Sequence, residues 1–236
     1  MRKDLKKVLF NKTETINENN FKETLKGSDT AKNIMKPNLS KVLEQAEPTI
    51  HYRFYKNSVC QCLDIPEELF INFLPEKMLF DSYITLGLQR IKDTPSLIAR
   101  TEDNQDAPAV RYSGRYKEHI GAIISEYDSV YKCGGELTDN LKSGFIRKSK
   151  IKGPLGNNGS FRLISVYEKD IESNTTYFNL LFIDFYHLFI PSDHEGRSAE
   201  EIRRSVYSRR KRICTHELSE FLEDDYFEKA QLLNWG

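Results

Sequence analysis

Lys148, Lys150 and Lys152 stand at alternate positions in "RKSKIKG", and Arg162 follows the glycine-rich loop "GPLGNNG". Alternate residues of a strand share a face, so the three ammonium groups project together, with Ser149 and Ile151 opposite. If the two strands pair through Gly153 to Gly159, Arg162 lies beside the lysine row. Four cations on a fixed backbone repel one another unless an anion is near, and a phosphate chain supplies one. The same composition also suits an edge strand that lysines protect from aggregation. Further along, "FIDFYHLF" brings His187 to the end of an apolar strand, where a side chain can reach the sheet surface. Strict alternation puts Asn179, Leu181, Ile183, Phe185 and His187 on one face, and Phe182, Asp184 and Tyr186 on the other. A histidine on an apolar face is also commonly a satisfied core residue, and Asp184 with Tyr186 could be a structural pair.

The elements that must position these groups can be read along the chain. Residues 1–48 are rich in Lys, Asn, Glu and Thr and poor in aromatics, which reads as a polar, partly ordered arm. Residues 49–108 read as a hairpin plus helices. "TIHYRFY" and "SVCQCLDI" are the hairpin, turning at Lys56-Asn57, and helices open at Pro66 and Pro75, a residue type favoured at the first helical position. Residues 109–236 read as an α+β domain with a basic sheet face. Its first helix carries Tyr116, Ile120, Ile123, Ile124 and Tyr127 as an apolar stripe and closes at Gly134-Gly135. Strands follow at Phe145 to Lys152, Ser160 to Tyr167 and Thr176 to Phe189, the last two joined by a hairpin loop over Glu168 to Thr175. Ser198 and Glu201 form a capping box. The helix they start has Ile202, Val206 and Ile213 inside, with Arg203, Arg204, Arg209 and Arg210 mostly outside. The last segment, "HELSEFLEDDYFEKAQLLNW", is amphipathic and acidic.

Charge is segregated rather than biased. Basic and acidic residues number 35 each, yet residues 142–169 hold seven basic side chains against Glu168 alone. Residues 197–212 hold seven against two, and 217–228 hold six acids and no base. Such a chain presents a basic face. The four cysteines, at 60, 62, 133 and 214, lack zinc spacing. His194-Glu195 and His216-Glu217 are isolated dipeptides, and no phosphate-binding or dinucleotide-binding loop occurs. No metal or cofactor is expected. No apolar run spans a bilayer, so a soluble, cytoplasmic protein without a membrane partner is expected.

The order helix, basic strand "RKSKIKG", glycine-flanked "GNNGSFRLISVYE", apolar strand "YFNLLFIDFYHLF", charged helix resembles the RelE/ParE-like bacterial toxins over Tyr112 to Arg212. The resemblance implies a small antiparallel sheet flanked by helices. It implies metal-independent endoribonuclease activity on RNA, including mRNA on the ribosome, and an antitoxin or other protein partner for the N-terminal arm. Lys150, Lys152 and Arg162 would stabilise the phosphate and its transition state, with Tyr186 or His187 moving the proton. Lys148, Arg203, Arg204 and Arg210 would make further RNA contacts. An arginine common near the end of that apolar strand is absent; "FYHLF" offers Tyr and His instead. Two further readings stay open: a non-catalytic nucleic-acid-binding module, and a protein-interaction factor encoded on a phage or mobile element.

Overall fold

A near-continuous apolar strand belongs where both of its faces are covered, and "TTYFNLLFID" takes that place. The computed structural model describes residues 49–76, 82–95, 107–151, 161–191 and 196–229. The N-terminal arm, Lys152, the whole glycine-rich loop and the last seven residues lie outside them. The fold is α+β. Strands β1 (Thr49–Phe54), β4 (Ile146–Lys150), β5 (Arg162–Asp170) and β6 (Thr175–Asp184) make one sheet of order β1-β6-β5-β4. β4, β5 and β6 run antiparallel in sequence, and β1 joins β6 in parallel. A second, two-stranded sheet pairs β2 (Asp64–Ile65) with β3 (Phe70–Ile71). Among the described residues there are four α-helices: α1 (Ser82–Asp93), α2 (Lys117–Val130), α3 (Glu136–Lys142) and α4 (Ala199–Arg210).

Each face of the four-stranded sheet has its own core. On one, Leu88 and Ile91 of α1 pack with Tyr52, Phe54, Leu163, Phe178, Leu180 and Ile183. On the other, Ile120, Ile123, Ile124 and Tyr127 of α2 pack with Ile146, Ile164, Val166, Leu181 and Phe182. Tyr127 lies flat on Phe182, with centroids 4.3 Å apart and planes 3° from parallel. α4 joins the α2 side through Tyr207 and Cys214.

Strict alternation fails at one point. The β5–β6 register shifts between Ile164, opposite Phe182, and Ser165, opposite Leu180, so Leu181 is an extra residue in β6. A bulge of this kind turns the strand beyond it. Leu181 and Phe182 therefore both enter the α2-side core, while Leu180 and Ile183 enter the other. The expected common face of Asn179, Leu181 and Ile183 is not formed.

The first half differs from the expected hairpin and helices. Tyr55–Asn57 is a short 3₁₀ turn, and the chain then runs irregularly to β2 instead of folding back on β1. The hairpin is lost because β1 finds a better partner in β6, whose other side would otherwise be bare. At Pro66 only a three-residue 3₁₀ turn forms, because Leu69 enters the left-handed region at φ 48° and ends it. α1 does form within the stretch after Pro75. The acidic segment after His216 has one 3₁₀ turn, Leu218–Glu220, and otherwise consists of turns through Lys229. It buries Leu218 and Phe227 in the α1-side core. The residues from 49 to 108 thus share a sheet and both cores with the rest, and all described residues belong to one unit, Glu47–Gly236.

Gly87 of α1 is where helix and sheet edge come closest. A Cβ there would stand 2.9 Å from Ile151 Cγ2 and 2.9 Å from Phe161 Cζ, both on buried side chains. Alanine normally gains about 1 kcal/mol over glycine inside a helix, but overpacking costs about 1–3 kcal/mol. Gly87→Ala should therefore lower the stability of the protein by about 1 kcal/mol, read as a lower denaturant midpoint. A raised midpoint would show that α1 does not press on the sheet as described.

Candidate nucleic-acid interface

The register of β4 against β5 sets the cations. Ile146 opposes Val166, Lys148 opposes Ile164, and Lys150 opposes Arg162. Directly opposed residues project to the same side, and Ile146, Ile164 and Val166 lie in the α2-side core. Lys148, Lys150 and Arg162 therefore continue that row on the same face. Arg111 joins them electrostatically. Lys148 is half-buried, and its pKa is lowered first by burial and then by Arg162, Lys150 and Arg111. A polyanion would offset the mutual repulsion of these charges. Edge protection explains these lysines less well, since β4 is not bare along its outer side. Pro108 to Val110 pairs with it: the Val110 amide donates to the Ile146 carbonyl at 2.8 Å, and the Lys148 amide donates to the Pro108 carbonyl at 3.1 Å.

At the end of β6, Asp184 opposes Arg162 and is wholly buried. Its two oxygens accept the amides of Leu188 (2.9 Å) and Phe189 (3.3 Å), which folds the chain after the strand into a tight turn. Burial pushes the Asp184 pKa up, against the opposing pull of His187, Arg162 and the two amides. Arg162 in turn donates through Nη1 to the Ile190 carbonyl at 2.5 Å, closing the turn from its far end. His187 is the apex residue, held at φ 58° and partly exposed. The charges of Arg162 and His187 both act on this carboxylate, so the apex of the turn stands near the cationic row.

Tyr186 points elsewhere. Its hydroxyl donates to the Phe73 carbonyl at 2.8 Å and lies 3.2 Å from Cys214 Sγ, while the Arg210 guanidinium covers its ring at 4.5 Å. Burial, and then Cys214, raise its pKa above the phenol's ordinary value. It ties the end of α4 to the Phe73 segment. Two of the α4 arginines, Arg203 and Arg210, likewise turn inward. Arg203 is 12% exposed and bonds Glu200 at 2.7 Å; Arg204 stays exposed, 3.6 Å from the same carboxylate. Arg203 and Arg210 sit four before and three after Tyr207, the buried centre of the helix, and so face inward rather than out. Ile213, expected inside, is 49% exposed because the helix has already ended at Arg210. The acidic segment packs on the opposite face of the sheet: Asp224 accepts the Val59 amide at 2.7 Å, and Phe227 meets Phe54 edge-on. Its described residues, through Lys229, leave the cationic row uncovered.

The sequence reading missed His119. It is 7% exposed on α2, with Nδ1 2.7 Å from Glu68 Oε2 and Nε2 2.9 Å from the Leu188 carbonyl. A signal was present. His119 is three residues after Tyr116 and four before Ile123, so it lies on the apolar stripe itself. Among the described residues, no helix is long and apolar enough to cross a membrane. No protein-family model, curated protein or solved structure matches the chain.

Two outcomes follow from this geometry. Because the pKa of Lys148 is lowered in the fold, its charge works against folding below that lowered value, and the cost vanishes as pH passes lysine's ordinary 10.5. Lys148→Met should raise the melting temperature at neutral pH, and its advantage over the wild type should shrink steadily toward pH 10.5. Asp184→Ala should cost about 3 kcal/mol by denaturant titration, because it strands two buried amides and the Arg162 charge. A cost near zero would mean that the turn after β6 does not depend on this carboxylate.

Proposed function

We propose that the protein binds the phosphate backbone of RNA through Lys148, Lys150, Arg162 and Arg111 on the α2-side face of its sheet, in the cytoplasm. The observation that carries this reading is the register that places Lys148, Lys150 and Arg162 on one face, with the Lys148 ammonium half-buried among the other cations. A protein does not normally hold such a group charged unless an anion offsets the cost. Phosphates give that offset without base contacts, so affinity should depend more on salt than on sequence.

A second reading, metal-independent cleavage of RNA as the toxin-like resemblance implies, is favoured by Asp184, the carboxylate on which the charges of Arg162 and His187 both act. In that reaction the 2′-hydroxyl oxygen bonds to the adjacent phosphorus, and the bond from phosphorus to the 5′ oxygen breaks. One proton leaves the 2′ oxygen and one reaches the 5′ oxygen. The products are a 2′,3′-cyclic phosphate and a free 5′-hydroxyl. Lys150 and Arg162 would stabilise the charge growing on the phosphoryl oxygens. His187 would carry one of the two protons, and Tyr186, with its proton engaged by Phe73, would take no part.

Single-stranded RNA titrated at several salt concentrations tests the first reading. Loss of two phosphate contacts in Lys148→Ala/Lys150→Ala should reduce the log–log salt slope by about 1.4. An unchanged slope would remove the lysine row from the interface. RNA incubated with the protein in EDTA tests the second reading: cyclic-phosphate ends should form with the wild type and not with His187→Ala. Binding without such ends would leave the protein a binder alone.

A further inference from the structure

Three ties hold the turn that carries His187. Asp184 takes the amides of Leu188 and Phe189, and Arg162 takes the carbonyl of Ile190. These two belong to the sheet. The third comes from the helix layer: His119 reaches the Leu188 carbonyl from α2 at 2.9 Å. A carbonyl only accepts, so Nε2 is the donor. The other nitrogen, Nδ1, is 2.7 Å from Glu68 Oε2, on the 3₁₀ turn Pro66–Glu68. Both ring nitrogens are thus engaged and the ring is 7% exposed, with Tyr116 edge-on at 6.4 Å. Such a histidine has no nitrogen left to offer a substrate.

What it does hold is the peptide group that follows Leu188's α-carbon, next in line to His187. His187 sits at φ 58°. A non-glycine residue in the left-handed region costs about 1–2 kcal/mol, and it persists only where its surroundings over-determine it. With the amides at 188 and 189 and the carbonyls at 188 and 190 all fixed, the apex has no freedom to relax. We infer that His119 and Glu68 form a positioning pair, which pins the turn after β6 from the helix side and fixes His187 beside Asp184 and the cationic row. The use of that placement rests on the RNA reading; the pinning itself does not.

The test uses the full chain and NMR of the His187 Cε1–H, assigned by its loss in His187→Gln. His119→Ala and Glu68→Ala should each move the titration midpoint of His187 by about half a pH unit or more and broaden its resonance, as the turn is released from its helix-side tie. Glu68→Gln, whose amide still bonds Nδ1, should keep the wild-type midpoint and line width. If His119→Ala does not fold, Glu68→Ala carries the test, since Glu68 is at the edge of the pair and 24% exposed. An unmoved His187 signal in a folded Glu68→Ala protein overturns the inference. So does Glu68→Gln moving as far as Glu68→Ala, because the lost charge rather than the hydrogen bond would then be the cause. RNA affinity of the wild type is measured alongside: its absence removes the RNA reading and leaves the NMR result to decide the pinning.

Discussion

Burying β6 on both faces leaves its one carboxylate, Asp184, with no water to solvate it, so the protein must supply donors. It supplies two peptide amides from the chain that follows, and the charge of Arg162 on the neighbouring strand favours the carboxylate from further off. Much of the site geometry descends from that need. The amides can reach only if the chain turns at once, which puts His187 at an apex. Arg162 opposes Asp184 in register, which brings the end of β5, and with it Lys150 and Lys148, to the same place. The bulge at Leu181 is part of the same arrangement. Had the strand continued in plain alternation from Phe178 and Leu180, Asp184 would face the α1-side core and Arg162 would have no partner there.

Lys148 is charged at this face against the interest of the fold. Lys148 could not be half-buried among cations for the sake of the fold, because burial and three like charges all disfavour its proton. Sites that keep an unfavourable charge arrangement are more often functional than structural. Arg162 is the exception in the row. Its bond to the Ile190 carbonyl and its proximity to Asp184 give it structural work in the absence of any ligand. The lysines would therefore report on the proposed binding more cleanly than the arginine would, although all stand on one face.

The parts of this fold that were legible in the sequence are those where one element speaks for itself. The alternation of "RKSKIKG", the loop after it and the apolar run of β6 gave the three antiparallel strands and the common face of Lys148, Lys150 and Arg162. The Ser198/Glu201 capping box is formed as read, with each side chain meeting the other's backbone. What was hidden depends on distant partners. β1 lies beside β6 only across more than a hundred intervening residues, and nothing in "TIHYRFY" distinguishes a parallel neighbour from a hairpin. The bulge is invisible because Leu180, Leu181 and Phe182 are all apolar, so a run buried on both sides carries no period to break. His119 meets Glu68 and Leu188 across 51 and 69 residues.

Arg162 links the two halves of the site in a way that limits how they can act. It belongs to the cationic row through its opposition to Lys150, and to the turn through Ile190 and Asp184. An anion drawn to the row would offset the Arg162 charge that now favours the Asp184 carboxylate. Weakening the pull of the Arg162 charge on Asp184 would leave that carboxylate more dependent on His187 and the two amides. The turn would then rest more heavily on the helix-side tie at Leu188. If the proposed anion bound at the lysines, it would be felt at His187 without any large movement of the sheet, because Arg162 and His187 both act electrostatically on one buried carboxylate.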